Sequence, residues 1–129
     1  MKTVEVVAAV IKKDNLIFCA KRSDQGEVAL KWEFPGGKIE PLETHQAALI
    51  REIKEELNSL VSVGELVMTV MHQYKEFHIT MHAYYCKLIE GNLDLTEHVD
   101  SCWLDIRNLE KLDWAKADIP IVEKIKEDL

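Results

Sequence analysis

No apolar run in the sequence approaches the roughly 20 residues that a membrane-spanning helix needs. The longest early run, Val6 to Ile11, is bounded by Glu5 on one side and by Lys12 and Lys13 on the other. It is too short for a secretory signal core and no small-residue cleavage site follows it, so the expectation is a cytoplasmic protein. Cysteine is scarce. Cys19, Cys86 and Cys102 are an odd number without a CxxC pair, which argues against a disulfide framework and fits small buried hydrophobes in a reducing compartment. Positive charge is in deficit: 16 Lys and Arg stand against 23 Asp and Glu, a formal net charge of −7. Binding a nucleic acid polymer through its phosphates calls for the opposite balance. An acidic chain can still bind a phosphorylated small molecule when a divalent metal lies between them. Repeats, low-complexity tracts and linkers are also missing. The 129 residues therefore read as one domain, residues 1–129, long enough to hide roughly two-thirds of the unfolded surface. With 47% hydrophobic and 30% charged residues, intrinsic disorder is excluded as the default.

Val4 to Ile11 is β-branched and apolar almost throughout, which predicts a strand buried on both faces. Asp14-Asn15 predicts a turn, and Leu16 to Ala20 a second strand. Arg22 to Lys31 is polar, contains Gly26 and reads as a loop. Trp32-Glu33-Phe34 is a brief extended piece ending at Pro35-Gly36-Gly37, the strongest turn signal in the chain. Thr44 to Leu57 is the clearest helix, with Thr44 as its cap and Asn58 as a left-handed terminus. Leu60 to Tyr74 and His78 to Leu88 read as strands around a Lys75-Glu76 turn, with a further turn at Glu90-Gly91-Asn92. Ser101 to Leu104 is a short strand and Ile106 to Leu112 a short helix. Asp118 to Leu129 is a final amphipathic helix with Pro120 in its first turn. This order predicts an α/β (α+β) fold, a mixed sheet with helices on its faces.

The segment that carries chemistry is Gly36-Gly37-Lys38-Ile39-Glu40-Pro41-Leu42-Glu43 followed by the helix with Arg51-Glu52-Ile53-Lys54-Glu55-Glu56. At about 100° per residue, Glu52, Glu55 and Glu56 fall within about 100° of each other, and Ala47, Ile50, Ile53 and Leu57 gather on roughly the opposite side. The expectation is one face in the core and three carboxylates on the other. A solvated charge cluster is the usual meaning of such a face. Here only Arg51 and Lys54 are cationic within the helix, and a double glycine that lets backbone carbonyls approach a ligand leads into it. Hard cations such as Mg²⁺ take a few carboxylates plus substrate phosphates, and this stretch supplies that donor set.

The stretch resembles the Nudix box, Gly-x5-Glu-x7-Arg-Glu-U-x-Glu-Glu-x-Gly-U with U a bulky aliphatic residue. The matches are Gly37, Glu43, Arg51, Glu52, Ile53, Glu55 and Glu56, within residues 37–59. Two positions depart: Asn58 replaces glycine, which a left-handed terminus tolerates, and Ser59 replaces the aliphatic residue, a role Leu60 and Val61 can fill. Ala20-Lys21-Arg22, Trp32 through Glu40, and Ala117 through Val122 look like the MutT-type branch of nucleoside triphosphate pyrophosphohydrolases. Val6 through Ile11 and Ala117-Asp118-Ile119-Pro120 look most like its CTP-hydrolysing subgroup. The resemblance implies an α/β/α sandwich around a curled mixed sheet. It also implies Mg²⁺-dependent hydrolysis, with Mn²⁺ as a possible substitute, of a nucleoside triphosphate to monophosphate and pyrophosphate. CTP or modified dCTP is the expected substrate. Oxidised guanine nucleotides are the rival, and a catalytically silent nucleotide sensor is the alternative of another class. Neither a nucleic acid polymer nor a membrane is expected as partner, and the chain is expected to be a monomer or a homodimer.

By the same resemblance, the Gly37 carbonyl, Glu52, Glu55, Glu56 and a loop residue, Glu97, would hold metal, with Glu97 as ligand or base. Arg51 would keep the carboxylates in register. Arg22 and Lys38 are candidates for the substrate phosphates, Phe34 for packing on the base, and His72 for the border of the base pocket. Asp118 stands where the guanine-preferring branch has asparagine. As an ionised, acceptor-only carboxylate it would match the exocyclic amino group of cytosine and oppose the guanine oxygen. It could equally cap the final helix. The other histidines read as ordinary residues. His78 and His82 lie about 13 Å apart by strand rise, and His45 and His98 show no partner at ligand spacing.

Overall fold

β1 (Lys2–Lys13) is the strand on which the molecule is organised, and its residues Val7 to Ile11 are buried. Alternation sends Val7, Ala9 and Ile11 to one face and Ala8 and Val10 to the other. A computed structural model describes residues 2–129. The remaining strands are β2 (Leu16–Lys21), β3 (Trp32–Glu33), β4 (Gly36–Lys38), β5 (Leu60–Gln73), β6 (Phe77–Glu90) and β7 (Asp100–Asp105). α1 (His45–Leu57) lies on one face and α2 (Ile119–Asp128) on the other. β1 runs parallel to β6, the other strand-to-strand pairings are antiparallel and an isolated parallel bridge joins Trp32 to Trp114, so the sheet is mixed and the sandwich is α/β/α as expected. Among the described residues no helix is long and apolar enough to cross a membrane.

The site is positioned by a change of partner along β1. β2 pairs with it only at Lys12↔Ile17 and Lys13↔Leu16 before turning away to pair with β7 and β3. The vacated edge is taken by β4, in the register Val6↔Lys38 and Ala8↔Gly36. Pro35-Gly36-Gly37 is therefore not the turn its composition predicts. Glycine is required at Gly36 by close approach: a Cβ there would lie 1.9 Å from the Val7 carbonyl oxygen.

α1 begins and ends where its sequence specifies. The Thr44 hydroxyl accepts from the Ala47 N–H at 3.0 Å, and Asn58 closes the helix at φ 48°, ψ 42°, its N–H donating to the Lys54 carbonyl. Its buried side differs from expectation. Ala48, Leu49, Ile53 and Leu57 are buried, whereas Ala47 is exposed and Ile50 half-buried. On the wheel Glu52 and Glu56 both fall inside that buried arc, between Ala48 and Leu49, so two of the three carboxylates lean toward the sheet instead of away from it. Ser59 also departs from expectation. It is buried, donates to the Leu57 carbonyl at 2.9 Å and accepts from the Leu93 N–H at 2.9 Å, fastening the loop that follows β6. The terminus gives a direct test. Asn58→Gly should fold with native stability, whereas the β-branched Asn58→Val should lose about 1–2 kcal/mol in urea denaturation, the cost of a left-handed L-residue.

Candidate active site

The guanidinium of Arg51 is the hub of the site. Its Nε and Nη2 hold both oxygens of Glu43 at 2.8 Å each, its Nη1 donates to Glu52 Oε1 at 2.7 Å, and Nη2 also reaches the Lys38 carbonyl at 3.0 Å. Glu55 is a looser partner, 3.5 Å away with its side chain 61% exposed on the rim, and Glu40 is looser still at 3.8 Å. This fork ties the end of β4, the following loop and two turns of helix together. It holds the Glu43 carboxyl down at about 2, and the Glu43 and Glu52 hydrogen bonds push the Arg51 guanidinium above its ordinary range. A Cβ at Gly37 would sit 2.2 Å from Glu52 Oε2, so a side chain there would displace that carboxylate.

Glu56 carries no such counter-charge. Its Oε1 is buried without a hydrogen-bond partner among the described residues, and burial, opposed in part by His98, pushes its carboxyl up to about 8. Burial likewise raises Glu52, against the pull of Arg51. Two carboxylates that lean toward one glycine strand, one of them short of a partner, fit a hard divalent cation with the Gly37 carbonyl. Glu97 is exposed on the loop between β6 and β7, near enough to add to the negative field at Glu56. That loop is pinned beside α1 by Thr96, which donates to the Glu56 carbonyl at 2.7 Å.

Beside the carboxylates opens a cavity of about 550 Å³. Arg22, Lys38, Glu56 and Asp118 line it together with an apolar wall that includes Phe34 and Met81. Arg22 is anchored by Glu33 at 3.1 Å, and Lys38 is exposed at the mouth. Phe34 is less available than expected: it is 3% exposed and stacks on Trp114 at a centroid distance of 4.6 Å, so it is a rigid part of the wall. His72 does not reach the cavity. Tyr74, just past the end of β5, stands between them, its ring 4.5 Å from His72 and its hydroxyl accepting from the Ala117 N–H.

Asp118 is buried, and it does not cap α2 with its side chain. Its Oδ2 accepts instead from the Phe34 N–H at 2.9 Å. Burial, reinforced by the charge of Glu33, holds its carboxyl well above the usual carboxylate range. A carboxyl raised in this way favours the protonated acid, whose hydroxyl can donate where the ionised form only accepts.

Sequence reasoning missed Glu33 and His98. Their bond, His98 Nε2 to Glu33 Oε2 at 2.8 Å, links positions 65 residues apart. Burial opposes protonation of His98, but Glu33 outweighs it and the imidazole is raised. No spacing rule reports such a pair. His45 also has partners that were not expected: Glu5 and His82 meet it on the α1 face of the sheet.

An acidic helix clamped by arginine against a glycine strand, beside a cavity of nucleotide dimensions, marks an enzyme of phosphorylated small molecules. The NUDIX domain family matches residues 6–124. The CTP pyrophosphohydrolase of Escherichia coli is 39% identical over 123 residues, covering 95% of this chain and 91% of that protein. The 8-oxo-dGTP diphosphatase of the same species is 30% identical, covering 98% of each. The solution structure of the MutT protein of Staphylococcus aureus is 46% identical, covers all of both chains and superposes with a TM-score of 0.81. The chain belongs to the Nudix family and is a Nudix hydrolase. Enzymes of this family generally use divalent metals.

Two outcomes follow from the geometry. Arg51→Lys keeps the charge but loses the fork, and should lower kcat ~10–100-fold, as loss of an orienting partner does, measured at saturating metal. The second concerns pH. Glu56 is raised from 4.5 to about 8, so the folded state binds more protons than the unfolded one across that window. In chelator the melting temperature should fall as pH rises from about 5 to about 8. The raised Asp118, Glu52 and His98 act in the same direction. Glu56→Gln should flatten the profile, and an unchanged slope would show that Glu56 is not the strained group.

Proposed function

We propose that this Nudix hydrolase is a Mg²⁺-dependent nucleoside triphosphate pyrophosphohydrolase of the cytoplasm, acting as one domain and preferring CTP or modified dCTP. The observation that carries the reading is that one cavity joins the box carboxylate Glu56, the cations Arg22 and Lys38 and the buried acid Asp118. Phosphates and base can thus be engaged at once. Similarity to the CTP pyrophosphohydrolase over 95% of the chain supports the substrate class.

In this reading Gly37, Glu52, Glu55, Glu56 and Glu97 would hold the metal. When bound, the metal neutralises phosphate charge and lowers the pKa of water. The protein's own residues do the rest. Arg51 fixes Glu52 and the loop, so the carboxylates need no reorganisation as the reaction proceeds. Arg22 and Lys38 orient the phosphate chain. Water attacks a bridging phosphoryl centre, an oxygen–phosphorus bond forms, and the bridging bond breaks to release pyrophosphate. Glu97 is assigned as the acceptor of the water's proton, a contribution of ~10²–10⁴ in rate. At the base, the neutral acid of Asp118 presents a donor next to an acceptor. The pairing edge of cytosine presents an amino donor next to a ring-nitrogen acceptor, and the two are complementary.

The test is pyrophosphate release across CTP, dCTP, cytosine-modified dCTP, dGTP and 8-oxo-dGTP. Cytidine nucleotides should rank first, and Glu56→Gln should lower kcat at least ~10²-fold. Asp118→Asn retains a donor beside an acceptor and should keep the ranking. Asp118→Ala should reduce kcat/KM for CTP at least tenfold, about 1.4 kcal/mol, and narrow the preference over 8-oxo-dGTP. A ranking led by 8-oxo-dGTP would overturn the base assignment alone. No pyrophosphate from any of them would overturn the activity.

A further inference from the structure

The geometry points to a second metal site, for a borderline-soft divalent transition ion of the Zn²⁺ class, formed by Glu5, His45 and His82. These residues come from β1, the first position of α1 and β6. Each offers a ligand atom, and the three atoms lie within 4.8 Å of one another. Glu5 Oε2 and His82 Nε2 are 3.6 Å apart, close to the roughly 3.3 Å that separates two ligands of a tetrahedral ion with bonds near 2 Å. The His45 and His82 rings stack at a centroid distance of 4.2 Å with their planes 24° apart, so binding requires half-buried His45 and exposed Glu5 to reorient toward His82 Nε2.

Three features distinguish this cluster from a chance meeting of polar side chains. First, His82 Nε2 is shielded from solvent and has no hydrogen-bond partner among the described residues. An unmet ring nitrogen at that position costs stability unless something binds it. Second, each imidazole is oriented through its other nitrogen. His82 Nδ1 bonds the Thr69 hydroxyl at 2.9 Å, and His45 Nδ1 bonds the Tyr84 hydroxyl at 2.8 Å. That leaves Nε2 as the free nitrogen of each ring, the outer-partner arrangement of metal-bound histidines. Third, the donor set is of the right kind. Two imidazoles and one carboxylate suit Zn²⁺ and its neighbours, whereas Mg²⁺ takes oxygen. The Glu5 side chain is 57% exposed, which leaves the solvent side open for a fourth ligand such as water.

The cluster is separate from the carboxylate site. Glu5 and His82 face α1, whereas their neighbours Val4, Val6 and Met81 face the nucleotide cavity on the other side of the sheet. His45 and Glu56 stand at opposite ends of α1, about 16 Å apart by helix rise. An ion here would bolt the start of α1 to β1 and β6. The Glu5 carbonyl already accepts from the Ile39 N–H at 3.2 Å, so the brace would extend to the loop that carries Glu43.

The test is Zn²⁺ binding to the full chain by calorimetry with Mg²⁺ in excess, and Co²⁺ absorption to read a tetrahedral nitrogen–oxygen field. Wild type should bind a single equivalent and gain melting temperature on binding. His82→Gln and Glu5→Gln should each weaken Zn²⁺ at least ~100-fold, beyond the ~10–100-fold that a lost outer partner costs. Thr69→Val should fall within that smaller range. Glu5 is exposed, so Glu5→Gln tests the site without endangering the fold, and its Mg²⁺-supported turnover should equal wild type. Zn²⁺ affinity unmoved in Glu5→Gln and His82→Gln would overturn the site. So would binding that disappears in Glu52→Gln, which would place the ion on the box carboxylates.

Discussion

One guanidinium determines how the catalytic half of the molecule is arranged. Arg51 is the shared donor for a loop carboxylate, a helix carboxylate and a strand carbonyl, at 2.7–3.0 Å. Without it, Glu43 and Glu52 would face each other across a short distance with no cation between them, and the loop 39–44 would have little to fold against. The planar fork is what suits arginine to the position, since an ammonium cannot hold Glu43 through two parallel bonds while serving Glu52. The same hub leaves Glu56 unserved. The arrangement therefore pairs a neutralised scaffold with one carboxyl, Glu56, whose Oε1 is buried without a hydrogen-bond partner among the described residues.

The sheet explains why the two halves of the site meet. β1 has two successive neighbours on one edge, β2 near its end and β4 further back. The divergence of β2 makes room for a glycine strand so close to β1 that Gly36 cannot carry a Cβ, and a Cβ at Gly37 would push the Glu52 carboxylate aside. Side-chain alternation on β1 and β6 then divides the chemistry. One face supplies the apolar wall of the cavity, and the other presents Glu5 and His82 beneath the start of α1. A one-residue slip of either strand would exchange the two sets.

What the sequence made legible were the features encoded locally. The Thr44 cap, the left-handed Asn58, the alternating strands and the spacing of the box residues all follow from dihedral preference and period. Misread features depend on long-range geometry. The Pro35-Gly36-Gly37 turn signal was a strand because Val7 lies against it. The wheel placed Glu56 on the open side, yet the helix rolls so that Ala48 and Leu49 are inside and Glu56 goes with them. Asp118 finds its partner 84 residues away at Phe34, and no local rule turns a helix-capping residue into a buried acid. His72 alternates correctly but is screened by Tyr74. Glu5, His45 and His82 become neighbours only through the parallel pairing of β1 with β6.

The central claim is that the Arg51-ordered carboxylates and the Gly37 carbonyl form the metal site used in catalysis. Its most direct measurement is paramagnetic broadening of backbone amide resonances by sub-stoichiometric Mn²⁺, which locates the ion without reference to turnover. The account predicts that broadening centres on Gly36 to Lys38 and on Glu52 to Glu56, spreads to the loop bearing Glu97, and disperses in Arg51→Lys. Broadening centred elsewhere, with the amides of Gly37 and Glu56 unaffected, would contradict it.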